Sequence, residues 1–209
     1  MIPIKNFTPI GTEPELPPGY TRLKYLIFDG NQYLKDITLP YDFTAEFVVI
    51  PKEHTAYHNI YDDLSSNVML WLRPDKKYEL NISGISSITY SSKLTELKVI
   101  QTGTTHKLYV DGEYATQTAG RYVPTGGLSV SLFRRSTNGQ CFRGNVGRVS
   151  VYDSAGNLTL NLIPALDPNK ATCMYDTISG DVYYNEGSGY FSYIRMDGSM
   201  AFIGNIIPI

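Results

Sequence analysis

Short runs of alternating apolar and polar residues recur along this chain at intervals of about ten residues, each closed by Gly, Pro, Asn or Asp. In "FTAEFVVI", Phe43, Ala45, Phe47 and Val49 alternate with Thr44, Glu46 and Val48, the pattern of a half-buried strand. "YLIFDG", "VMLWLR", "KYELNIS", "TELKVIQ", "GLSVSLF", "GNVGRVSVYD", "LTLNLIPAL" and "DVYYN" continue the series. In "HKLYVDGEYAT" the Asp111-Gly112 pair separates two such runs, a strong hairpin signal. "YDSAGNLTLNL" predicts a second hairpin, turning at Ala155-Gly156-Asn157. No window carries helical periodicity with caps; "DPNKATCMYD" holds one turn at most. Many strands without intervening helices predict an all-β sandwich of two antiparallel sheets.

A length of 209 residues suits one such domain, and 42% apolar content is enough to give it a core. Charged residues are 18% of the chain and the formal charge is −2, which argues against a disordered chain and against a nucleic-acid partner. No stretch is long enough to span a bilayer, and "MIPIKNFTPIG" has no continuous apolar core of a signal peptide. Cys141 and Cys173 have no metal or CxxC spacing and are expected to be reduced thiols. Pro3, Pro9, Pro14, Pro17 and Pro18 make residues 1–19 an extended arm. Both ends are apolar: Ile2, Ile4 and Phe7 at the start, Ile206, Ile207 and Ile209 at the finish. Such ends predict docking to another subunit, because exposed apolar patches mark interfaces. The alternative is that both ends add edge strands to their own sandwich.

Several blocks, in order, resemble the laminin-G-like, concanavalin A-like jelly rolls of bacteriophage and prophage virion proteins. They are "LPPGYTRLKYLIFDGNQYLKDITLP", "THKLYVDGEYA" and "FRGNVGRVSVYDSAGNLTLNLIPALDPNKATCMYDTISGDVYYNEGSGYF", together spanning residues 17 to 193. The resemblance implies a concanavalin A-like jelly-roll β-sandwich over residues 20–193, with an N-terminal arm (1–19) and an apolar C-terminal extension (194–209). It implies a virion component, on a tail, fibre or capsid, made in a bacterial cytoplasm. The expected partners are other virion proteins and sister copies, with a trimer favoured, and a host-surface or environmental glycan. On this reading "CMYDTISGDVYYNEGSGYFSY" closes the sandwich: Ser179-Gly180 turns a hairpin, Gly187 and Gly189 supply positive φ, and the aromatics cover core and edge.

Catalysis finds little support in the residues. Glycan hydrolysis needs two carboxylates facing one bond, and the E-x-D-x-E pattern of sandwich glucanases is absent. His54, His58 and His106 have no G-x-S-x-G elbow to serve, and His106, opening a strand, reads as a surface or cross-strand residue. No cofactor is expected; calcium is the weak option, with Asp62, Asp63 and Asp111 as its oxygen donors. The ligand surface predicted from sequence is the loop "HTAYHNIYDDLSSNVMLWLR", with Tyr57, His58, Tyr61, Asp62, Asp63 and Trp71 as platform and hydroxyl partners for a sugar. Against it, Trp71 beside Met69 also fits a core position. The function expected is non-enzymatic glycan binding at a virion surface; the alternatives are a purely structural decorating protein and, behind it, a polysaccharide hydrolase.

Overall fold

The computed structural model describes residues 14–52, 55–63, 68–80, 84–119, 127–134 and 141–201. These hold seventeen strands and no helix. The larger sheet has eleven strands. Its path runs through β10 (Glu113–Ala119), β9 (Thr105–Val110), β8 (Thr95–Thr102), β3 (Phe43–Pro51), β12 (Arg143–Asp153), β1 (Thr21–Asp29), β13 (Leu158–Leu166), β14 (Thr172–Asp176) and β15 (Val182–Tyr183). Beside β1 lies β16 (Ser192–Arg195), and β17 (Met200–Ala201) pairs with β16. The smaller sheet has six strands, in the order β2 (Leu34–Leu39), β11 (Leu128–Leu132), β4 (His58–Asp63), β5 (Met69–Leu72), β6 (Lys77–Leu80) and β7 (Gly84–Thr89). Every pairing is antiparallel, giving an all-β, two-sheet jelly-roll sandwich.

Local chemistry explains the turns. Asp111 and Gly112 both adopt positive φ (51° and 82°), the geometry that a two-residue hairpin between β9 and β10 requires. The turn after β12 is tied by Asp153, whose Oδ1 accepts from the Ala155 and Asn157 amides, while Gly156 sits at φ 83°. In β3 the alternation holds: Phe43, Ala45, Phe47 and Val49 are all buried between the sheets. At one end of the core the Phe28 ring lies 4.7 Å from both Phe133 and Phe191 and 6.2 Å from Phe142.

Three expectations change. His106 is not a surface residue: it is 0% exposed, because it shares the inward parity of Leu108 and Val110 on β9. The sheet does not stop at residue 193, since β16 pairs with Leu23 to Ile27 of β1 and β17 returns upon it through the Asp197-Gly198 turn. Residues 194–201 therefore belong to the sandwich. Gly187 does not supply a positive φ, although Gly189 does (78°). The docking residues Ile2, Ile4, Phe7, Ile206, Ile207 and Ile209 lie outside the described residues, as does His54.

Cys173 is buried, its Sγ against the Ala165 carbonyl at 3.6 Å, and Cys141 is half-buried; neither is joined in a disulfide. Burial pushes the Cys173 thiol up to about 12, leaving it unreactive as a nucleophile.

Candidate functional site

The loop predicted to form the ligand surface is largely inside the molecule. His58, Asp62 and Asp63 stand on β4, a central strand of the smaller sheet that is buried on both faces. Tyr61 is 0% exposed and stacks on Phe47 at 5.8 Å and 9°, so its ring faces the inter-sheet core and is no sugar platform. Burial raises its phenol well above the ordinary value. His58 Nδ1 accepts from the Arg143 amide at 3.1 Å, and its ring edges against Phe142. Asp63 Oδ1 accepts from the Val68 amide at 3.2 Å, clasping β4 to β5, and Asp62 Oδ2 accepts from Asn59 Nδ2 at 3.3 Å. These are structural contacts. Asp111 belongs to the β9–β10 turn of the other sheet, where it accepts from the Glu96 amide, so it does not converge with Asp62 and Asp63. Among the described residues no group of three His, Cys, Asp or Glu side chains could hold a metal ion.

Trp71 and Tyr57 stay together, with ring centroids 5.5 Å apart, and the Arg73 guanidinium lies 5.8 Å from the Tyr57 ring. Trp71 is buried but does not join the inter-sheet core, which takes Leu70 and Leu72 from the same strand. Only Tyr57 of the predicted set is partly open to solvent.

Two exposed tyrosines lie instead in the closing segment, while a third, Tyr114, stands on β10. Tyr190 is 64% and Tyr184 44% exposed, and with Asn169, Lys170, Thr172 and Asn185 they line a cleft of about 320 Å³. Its two walls are the β13–β14 turn and the loop that follows β15. The buried carboxylate of Asp167 fixes the first wall. Its Oδ1 accepts from the Ala171 amide at 2.8 Å, and its Oδ2 accepts from the Tyr184 hydroxyl at 2.8 Å. One carboxylate thus sets both the turn and the ring that faces it. Burial first, and then its hydrogen bond to this carboxylate, push the Tyr184 phenol up to about 12.

The second wall is held by Asn185. Its Oδ1 accepts from the Tyr33 and Gly187 amides, and its Nδ2 donates to the Gly187 and Gly189 carbonyls. Gln32 Nε2 reaches the Tyr190 carbonyl at 3.4 Å, and Phe191 buries its ring against Phe28. The Tyr190 backbone is therefore anchored on both sides while its ring projects outward. Gly187 is required for close approach, because a Cβ there would collide with the Asn31 carbonyl oxygen. We expect Gly187→Ala to cost about 1–3 kcal/mol in urea unfolding, the range for overpacking. A neutral result would mean the loop is free to move away from Asn31.

In sequence the glycines and aromatics of this segment read as a sandwich-closing hairpin, which it also is. The missed signal was the first wall: nothing local says that "LDPNKAT" folds up against Tyr184.

No family model matches the chain, and no curated protein matches it significantly. Solved structures do. A native heptameric SAP-like pentraxin from Limulus polyphemus superposes with TM-score 0.53 at 13% identity, covering 85% of this chain and 98% of its own. The CBM40 of the Ruminococcus gnavus IT-sialidase, bound to α2,3-sialyllactose, gives TM-score 0.46 at 12% identity over 62% of this chain and 89% of its own. The enzymatically active domain of tailspike protein 2 from bacteriophage CBA120 gives 0.43 at 13% identity over 70% and 30%. At these identities the pentraxin likeness establishes the sandwich fold and nothing finer.

Proposed function

We propose that this protein is a non-catalytic glycan-binding module whose sugar site is the Tyr184–Tyr190 cleft. The observation that carries the reading is an outward aromatic ring, Tyr190, on a braced backbone, facing exposed amide and ammonium groups across a concave surface. A pyranose offers a C–H face for such a ring and hydroxyls for the polar groups around it. Among the described residues the Asn169 and Lys170 side chains make no hydrogen bond, which leaves them available for that role. The side chains lining the cleft include no carboxylate, and the nearby acids are already engaged: Asp167 with Tyr184, and Glu186 with Lys35 at 2.9 Å. That supports binding rather than acid–base hydrolysis, which needs a pair of carboxylates.

Display on a bacteriophage virion belongs to the same proposal and rests on the ordered sequence blocks. In that setting the apolar ends dock to neighbouring subunits or to sister copies, with a trimer favoured, and the cleft faces outward. The ligand test is a glycan array followed by titration of the best binder. Tyr190→Ala should weaken binding about tenfold or more, as loss of a stacked aromatic of ~1.5 kcal/mol would dictate, with the unfolding midpoint unchanged. If no glycan on the array binds, or if Tyr190→Ala binds like the parent, the cleft is not the sugar site.

A further inference from the structure

A second recess lies on the outer face of the larger sheet, where three strands fork. β12 pairs with β1 up to Val146 and with β13 from Val149 onward. β1 in turn pairs with β13 only at Thr21 and Arg22. Between these ladders Gly147 and Arg148 of β12, Lys24 of β1 and Pro164 of β13 line one recess. Two bulges fall here. β12 has one residue more than β3 between Val146 and Val149, and β1 has one more than β16 between Leu23 and Tyr25. A bulge leaves its extra residue outside the ladder and re-aims the side chain. The extra residues are Lys24 on β1 and the Gly147-Arg148 step on β12.

The result is a groove of about 400 Å³ with a mixed lining. Its floor is apolar, formed by Val48, Pro164 and the half-buried Tyr25 ring, which closes to 3.4 Å of a Cβ placed on Gly147. Its cations are Arg22, Lys24 and Arg148, against the single acid Glu96. Among the described residues Lys24 and Arg148 are exposed and make no ion pair; the Lys24 ammonium lies 5.7 Å from the centre of the Tyr25 ring, and Arg22 is braced by donating to the Pro14 carbonyl at 2.7 Å. On a chain of net charge −2, three cations around one recess are a local concentration of the minority sign.

We propose that this fork binds the carboxylate-bearing sugars of an acidic polysaccharide. A uronate-type residue matches both parts of the lining: its C–H face suits the Tyr25 floor, and its carboxylate suits the Lys24 and Arg148 rim, where charge-assisted hydrogen bonds are the strong ones. The inference extends the glycan-binding reading to a different surface and a different sugar chemistry.

The test is affinity electrophoresis and calorimetric titration of the full chain with polygalacturonate, neutral dextran, sulfated heparin and duplex DNA. Polygalacturonate should bind in a salt-sensitive way and dextran should not bind at this surface. The double variant Lys24→Gln/Arg148→Gln should lose about tenfold or more in affinity while unfolding at the parental denaturant concentration. Tyr190→Ala should leave polygalacturonate binding intact, so a failure of the tyrosine cleft and a failure of the fork are read separately. The proposal is overturned if polygalacturonate does not bind or if the double variant binds it like the parent. It is equally overturned if heparin or DNA binds as tightly through the same two residues, which would make the groove a general polyanion surface.

Discussion

Replacing Phe28 by Ala should cost about 3–5 kcal/mol of unfolding free energy, the range for deleting a buried aromatic side chain. Phe28 is 1% exposed and makes ring contacts with Phe133, Phe142 and Phe191. Phe133 and Phe142 also touch each other at 5.7 Å, so the void left by Phe28 is lined by rings that pack against one another. Aromatic walls of that kind collapse poorly into a cavity, which favours the upper part of the range. Domains of this kind have total stabilities of about 5–15 kcal/mol, so the variant would stand near the edge of folding at physiological temperature. The effect should also reach the cleft. Phe191 follows Tyr190 directly, and its ring is one of the anchors that hold the Tyr190 backbone. Urea unfolding gives the stability, and the pair Phe28→Ala and Phe191→Ala should combine less than additively, because each empties the same contact. A cost below about 1 kcal/mol, far short of the cavity range, would show that these four rings do not form the rigid end of the core.

The features legible in sequence were those set by neighbours along the chain. Asp111-Gly112 and Ala155-Gly156-Asn157 turn where expected because their φ preferences and side-chain caps are local. The β3 alternation was readable for the same reason. What failed depends on the third dimension. "HNIYDD" is polar enough to read as surface, yet β4 is a central strand covered on both faces, and burial there is satisfied by partners such as the Arg143 amide, distant in sequence. The Tyr184–Tyr190 cleft needs the β13–β14 turn to face the loop after β15, a contact made through Asp167. The cations at the fork depend on bulges, which exist only relative to a partner strand's register. A run of residues cannot show its own bulge.

Acid should weaken this fold through His106 in particular. The imidazole is 0% exposed on β9, opposite Gln101 of β8 and Thr118 of β10, and neither ring nitrogen has a hydrogen-bond partner among the described residues. Burial disfavours the charged imidazole and pushes the pKa down to about 4 from 6.5. The sign follows from proton counting. Between those values the unfolded chain binds a proton that the folded chain refuses, so stability falls as pH drops through this window. Above pH 6.5 both states are neutral and the group contributes no slope; below about 4 both are charged and the loss is complete. At about 1.4 kcal/mol per pH unit, the whole window costs about 3 kcal/mol. Carboxylates titrate over part of the same range, so the measurement must be differential. His106→Leu removes the titration and also relieves an unpaired buried polar group, worth about 1–3 kcal/mol at any pH. The variant should therefore exceed the parent in stability at pH 7.5, and its advantage should widen by about 3 kcal/mol on going to pH 4. Urea unfolding of both proteins across that range decides the matter. A constant difference between them would mean that His106 takes up its proton as readily inside the sandwich as in the unfolded chain.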